Sequence, residues 1–182
     1  LDTAAWSEIF HLPYQISRET KLQSLQYKIL HRIFPCKYYV NKWNSKVENS
    51  CEECNEIDTL EHYFYNCKTS INFWNSLCQW IRTSLDVTFN LDAFTVLFGL
   101  PNPFKDNFIH VFNYCILFGK LYITTHKINN STPSLYEFLS LLKNKIELEK
   151  FILLQEGKDE TFNCIDDVIG FFHNHSSQYQ KL

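Results

Sequence analysis

Four residues in this chain have the types and spacing to hold a metal ion. Cys51 and Cys54 are separated by two residues, His62 follows after seven more, and Cys67 after a further four, which reads C-x2-C-x7-H-x4-C. Thiolates and a neutral imidazole are ligands that zinc prefers, arranged as a tetrahedron. A single tight turn can bring both sulfurs of a Cys-x-x-Cys pair to one ion, and the interval before His62 lets the chain reverse. His62 and Cys67 then return from the start and end of a short helical turn, with Thr59 placed three residues ahead of His62 to cap it. The pattern predicts one Zn2+. With three thiolates and one imidazole the site is closed, so its predicted role is structural. The competing reading is a set of core cysteines beside an incidental surface histidine.

The elements that must position these ligands are helical. Only 4 Gly and 5 Pro punctuate 182 residues, while 45% of the chain is hydrophobic and 16% aromatic, a composition of packed globular structure. A leading segment with Trp6, Ile9, Phe10 and Leu12 ends at Pro13. Ser17 is placed to cap a helix running to Phe34, where Pro35 stops it; Leu22, Leu25, Ile29 and Ile33 recur on one face. After Cys67 a helix begins near Ser70 and carries Ile71, Trp74, Leu77, Cys78, Ile81 and Leu85 at helical spacing. Leu91–Gly99 is helix-like, and Pro101-Asn-Pro103 is the clearest break. Helices are predicted from about Phe104 to Lys127, from Leu135 to about Leu154 with Ser131 or Thr132 as cap and Pro133 in its first turn, and near Phe162 to Phe172. The fold class predicted is all-α with an embedded CCHC zinc knuckle: residues 1–89 form N-terminal helices with the knuckle, and residues 90–182 a helical segment packed on them.

Charge is distributed unevenly. The net charge is −3, but residues 1–50 carry seven cations (Arg18, Lys21, Lys28, Arg32, Lys37, Lys42 and Lys46) against four anions. On a helix, Lys21, Lys28 and Arg32 fall within about 40° of each other at about 100° per residue. That stripe is either a solvated helix flank or a strip that meets phosphates. The knuckle carries Glu52, Glu53, Glu56, Asp58 and Glu61 and no basic residue before Cys67. Carboxylates beside an anionic metal centre would repel phosphate, so the strip, and not the knuckle tip, is the predicted backbone contact. Tyr63, Phe64 and Tyr65 are either stacking rings or core.

Other chemistry is thin. Cys36, Cys78, Cys115 and Cys164 sit among apolar neighbours without framework spacing, as buried thiols in a reducing compartment do. Asp166-Asp167 lacks a third carboxylate on a palm-like sheet, and His173 and His175 lie in a polar tail. There is no HExxH, GxSxG or Walker-type loop. No apolar run reaches the 18 or so residues of a membrane span. The chain starts at Leu1 and contains 0 Met, which reads as a start inside a longer polypeptide.

Several stretches resemble one family. Lys28-Ile-Leu-His-Arg-Ile-Phe-Pro35, the knuckle with Glu61-His62, and Phe73-Trp74 with Trp80 are similar to the zinc-binding region at the C-terminus of LINE-type (non-LTR) retrotransposon reverse transcriptases. Leu117-Phe-Gly-Lys120-Leu-Tyr-Ile123, Ser134–Phe138 and Lys145–Lys150 look like the tail of such polyproteins. The resemblance implies a non-catalytic domain that assists RNA binding in target-primed reverse transcription, with DNA as a further partner and the upstream polymerase as its neighbour. It implies Cys51, Cys54, His62 and Cys67 as ligands, and an intracellular setting in a cytoplasmic ribonucleoprotein and the nucleus. The gap of seven before His62 departs from the shorter retroviral knuckle, which has four. From another class comes the alternative of a protein-interaction module, docking an acidic, aromatic surface on the polymerase or a host factor.

Overall fold

Long runs without Gly or Pro fold as helices in the computed structural model, which describes residues 3–85, 90–102 and 106–155. In chain order these are α1 (Thr3–Ile16), α2 (Thr20–Leu30), α3 (Lys37–Trp43), one π-helical turn (His62–Asn66), α4 (Lys68–Leu85), α5 (Ala93–Phe98), α6 (Asn107–Ile128) and α7 (Leu135–Gln155). No strand forms among the described residues beyond one antiparallel bridge pairing Ser50 with Ile57. The protein is all-α, with the Cys/His cluster set between α3 and α4. The helix expected near Phe162 to Phe172, Cys164, Asp166-Asp167, His173 and His175 lie outside the described residues.

Helix α6 is the hub. Every residue from Phe112 to Lys120 is buried, as in a helix surrounded by others on all sides. It packs against α1, α2, α5 and α7. One core joins Leu22, Leu25 and Ile29 of α2 to Trp74, Leu77 and Ile81 of α4, and to Phe138, Leu142 and Ile146 of α7. That core draws on described helices from both sides of the predicted boundary. Gly119 permits a close approach: a Cβ there would lie 2.6 Å from Trp74 Cη2 and 2.8 Å from Cζ3.

Lys120 is a cation inside this core, 2% exposed. Its ammonium donates to the Gln26 side-chain oxygen and, at 3.1 Å, to the Leu97 carbonyl. Gln26 Nε2 donates to the same carbonyl at 2.8 Å. Leu97 lies in the last turn of α5, whose carbonyls have no partner within the helix. Lys120 and Gln26 therefore cap α5 from inside the protein and tie α2, α5 and α6 together. Burial pushes the Lys120 ammonium down to about 7.

The helix ends differ from the expected ones for local reasons. α1 continues past Pro13 to Ile16. In that last turn the missing proline N–H forfeits one bond and little helix remains to kink. α2 starts at Thr20, and its N-cap Glu19 makes no side-chain cap. Ser17 Oγ instead donates to Glu149 on α7 and accepts from the Glu19 N–H. α2 ends at Leu30, not Phe34. Ile33 N–H bonds the Lys28 carbonyl at 2.9 Å and Arg32 N–H the Ile29 carbonyl at 3.1 Å, with Arg32 left-handed at φ 55. This is the Schellman closure, with arginine where glycine is usual. Asn130, φ 50, closes α6 in the same way. α7 begins after Ser134, so Pro133 precedes the helix and neither Ser131 nor Thr132 caps it. Phe138 N–H bonds the Ser134 carbonyl, and the Tyr122 hydroxyl also donates to that carbonyl.

Candidate metal centre and basic strip

The Cys-x-x-Cys turn is a hairpin tip. Cys51 N–H donates to the Glu56 carbonyl at 2.7 Å and Asn55 N–H to the Cys51 carbonyl at 2.9 Å, with Asn55 left-handed at φ 57. Asn tolerates that conformation better than most residues. Asp58, buried, then closes the loop onto α3: its carboxylate accepts the Lys37 N–H at 3.0 Å and its carbonyl the Tyr38 N–H at 3.2 Å.

The other two ligands come from the π-helical turn. At about 100° per residue an α-helix would set positions i and i+5 roughly 140° apart, on different sides. Here Cys67 N–H bonds the His62 carbonyl at 2.8 Å, the i→i+5 bond of a wider turn. His62 and Cys67 thereby reach one point. Thr59 caps the turn as expected, its hydroxyl accepting the His62 N–H at 3.1 Å. From α4, Ser70 Oγ donates to the Tyr63 carbonyl at 2.8 Å and Trp74 Nε1 to the Phe64 carbonyl at 2.6 Å. The turn is anchored on its carbonyl side by the helix that follows it.

These elements bring Cys51, Cys54, His62 and Cys67 together, their ligand atoms all within 4.8 Å of one another. Cys67 Sγ lies 3.8 Å from Cys51 Sγ and 3.9 Å from Cys54 Sγ. A disulfide needs about 2.05 Å, so the sulfurs gather without bonding. His62 Nδ1 sits 3.2 Å from Glu56 Oε2. Its Nε2 is buried with no hydrogen-bond partner, an orphan that a metal ion would satisfy. The donors fit one ion.

Electrostatics divide the sulfurs. Burial pushes the Cys51 thiol up, and the neighbouring Cys67 adds to that. Burial also raises Cys67, but the Lys127 ammonium and the Thr69 backbone N–H outweigh it, and the thiol ends below its ordinary value. Lys68 N–H donates to Cys54 Sγ at 3.4 Å. The first turn of α4 thus aims N–H groups at the sulfurs, the end of a helix that favours anions. Cys36, Cys78 and Cys115 are buried free thiols elsewhere. Burial pushes them all up, Cys78 to about 11 and Cys115 to about 12.

The acidic residues of the knuckle build the site. Glu56 orients His62, Asp58 ties the loop to α3, and Glu52 pairs with Lys37 Nζ at 2.7 Å. Glu53 accepts from the Thr69 hydroxyl, and Glu61 from Asn66 Nδ2 at 2.9 Å. The sequence marked these five only as charge. Nothing in their spacing separates an internal partner from a solvated acid, because the hairpin's return decides which side chains meet.

The basic residues fare unevenly. Lys21 and Lys28 share a face of α2 and are exposed. Arg32 is exposed but lies beyond the end of the helix, so helical geometry does not place it on their stripe. Lys37 is committed to Glu52. Lys42 lies over the Tyr38 ring at 4.4 Å from its centroid. Lys46 and Arg18 are exposed. Tyr63, Phe64 and Tyr65 pack on or within the core; Phe64 is fully buried, and its ring and that of Tyr63 meet Phe34.

No described helix is long and apolar enough to cross a membrane. No family model, no curated protein and no solved structure matches the chain.

Proposed function

We propose that this chain is a non-catalytic nucleic-acid-handling domain built around one structural zinc ion, in the manner of the C-terminal region of LINE-type reverse transcriptases that it resembles. The observation that supports zinc is the spacing of the sulfurs. A tetrahedron with metal–sulfur bonds of about 2.3 Å has edges of about 3.8 Å, and the two sulfur pairs stand at 3.8 and 3.9 Å. Three thiolates and one imidazole fill the tetrahedron, so the ion holds the hairpin to the π-turn and does no chemistry. Zinc content of the purified chain, one ion per molecule, is the expected result.

The nucleic-acid reading rests on exposed cations at α2 and α3 and on the internal use of the knuckle's carboxylates. Lys21 and Lys28, with Arg32, Lys42 and Lys46 beyond them, would contact RNA phosphates. On single strands, each phosphate deprived of its cation reduces the slope of log affinity against log salt by about 0.7. The Lys28→Glu/Arg32→Glu double variant should weaken single-stranded RNA binding and flatten that slope; an unaltered slope refutes the strip.

One observation favours a second reading. Trp6, Phe10, Phe94 and Tyr27 are 37%, 42%, 38% and 48% exposed. They form a connected surface of rings through His31 and Phe98. Such a patch suits docking on a protein. An intact chain that shifts no RNA at moderate salt supports that module instead.

A further inference from the structure

Five rings from three helices lie in a row on one surface. Phe94 of α5 meets Trp6 of α1 at 6.4 Å between centroids, and Trp6 meets Phe10 at 6.3 Å. Phe10 meets His31, at the end of α2, at 5.9 Å, and His31 meets Tyr27 at 4.2 Å. All five side chains are exposed. Their planes cross at angles from 43° to 69°, so the rings touch by edges and tilts and none lies flat on its neighbour. The row ends against the basic stripe of α2. Lys28 follows Tyr27 and stands three residues before His31, which makes it a neighbour of that ring on the helix surface.

What borders the rings selects their occupant. Thr3–Ile16, Thr20–Leu30 and Ala93–Phe98 hold one carboxylate between them, Glu8, and it is half-buried. The acids at the starts of α2 and α5 are engaged, Glu19 by Lys145 and Asp92 by the Thr95 N–H. Lys21, Lys28 and Arg32 are exposed cations. A partner must therefore offer flat apolar faces to the rings and negative charge beside them. An unpaired strand repeats both at every nucleotide, whereas a duplex stacks its bases on each other and keeps those faces covered. We propose that the row is a stacking platform for the bases of a single strand whose phosphates lie along Lys21, Lys28 and Arg32. This rests on the nucleic-acid reading above and deepens it: the cations hold the backbone and the rings hold the bases. Stacking asks only for a π-face, so the platform accepts any base.

The test titrates the full chain with oligouridylate, and with an abasic strand of equal length and charge, over a range of salt. Phe10→Leu/Tyr27→Leu removes two rings and keeps apolar cover, while Tyr27→Phe keeps the ring. The double variant should bind oligouridylate more weakly, by about 5- to 150-fold for each base that loses its ring, with an unaltered salt slope. Tyr27→Phe should match the parent. The abasic strand should bind the parent weakly and the double variant equally so. Oligouridylate should also quench the parent's tryptophan emission, and Trp6→Phe should bind as the parent does with that quench lost. Trp74 and Trp80 are buried, so a quench that survives in Trp6→Phe comes from the exposed Trp43 and overturns the platform. This readout decides the matter where the double variant fails to fold. A parent that binds both strands alike, or a double variant with parent affinity, also overturns the platform and leaves the rings to a protein partner. A chain that binds neither strand at any salt refutes the nucleic-acid reading itself, a distinct outcome.

Discussion

Between residues 44 and 61 the only buried side chains are Cys51 and Asp58, whereas every residue from Phe112 to Lys120 on α6 is buried. The α6 bundle has apolar area to bury, at about 25 cal/mol per Å2. The stretch of residues 44–61 does not. It closes through backbone bonds and carboxylate contacts and carries donor atoms to a shared point, so an ion bound there would do what aromatic packing does around α6. Two kinds of stability thus coexist in one chain, and each region answers to its own perturbation.

The largest contrast is expected from removing the proposed ion. Structural zinc contributes on the order of 10 kcal/mol to small peptides that fold around it. A chelator, or Cys67→Ser, should release the amides of residues 44–67 to fast exchange while α6 and α7 stay protected. Hydrogen exchange with and without chelator checks this; a loss shared equally by α6 breaks the distinction.

Next in size is Lys120, a charge placed where the bundle is driest. With its folded value near 7 and the ordinary value at 10.5, the unfolded chain binds one proton more between those pH values. Stability contributed by this site therefore rises with pH across that window, at up to about 1.4 kcal/mol per pH unit, and is lowest below pH 7. Lys120→Met should be more stable than the parent by a few kcal/mol at pH 6, with the gap closing towards pH 10. Urea titrations of both chains across that range measure it. A gap independent of pH would mean that the ammonium is not what burial penalises.

Gly119→Ala tests the packing itself. The new methyl would press on Trp74, whose indole cannot retreat without breaking its bond to the Phe64 carbonyl. A cost of about 1–3 kcal/mol is expected by urea denaturation, the usual range for overpacking. Because Phe64 belongs to the π-turn, this variant should also weaken metal uptake, making it the point where the two regions meet.

The smallest effect is at the end of α2. Arg32 holds φ 55 at a Schellman closure, which costs a residue with a Cβ about 1–2 kcal/mol. Arg32→Gly relieves that strain but gains unfolded-state entropy, so a net stabilisation of about 0.5–1 kcal/mol is expected in thermal melts. The same substitution removes a cation from the basic strip, so stability and RNA affinity should move in opposite directions.

Much of this was legible along the chain. Helical spacing of Trp74, Leu77, Cys78 and Ile81 places α4, and Leu22, Leu25 and Ile29 place the inner face of α2, because a 3.6-residue period repeats within a few turns. The ligand set was legible for a similar reason: C-x2-C and H-x4-C each act within one local turn. Ser17, Pro35 and Pro133 were misplaced as helix markers, since a contact or closure that propensity does not weigh sets the helix end in question. Ser17 turns to Glu149, which lies far along the chain on α7.

What could be read from residue order was local: an all-helical chain, few breaks, and four donors at a spacing that one ion can bridge. Three-dimensional packing settled which of the knuckle's acids serve the site, that Lys120 caps α5 from inside the core, and that Lys127 lies over the Tyr63 ring. The cause is range. Periodicity and ligand spacing act over a few residues, whereas the partner of a buried charge is chosen by packing between segments that the sequence holds far apart.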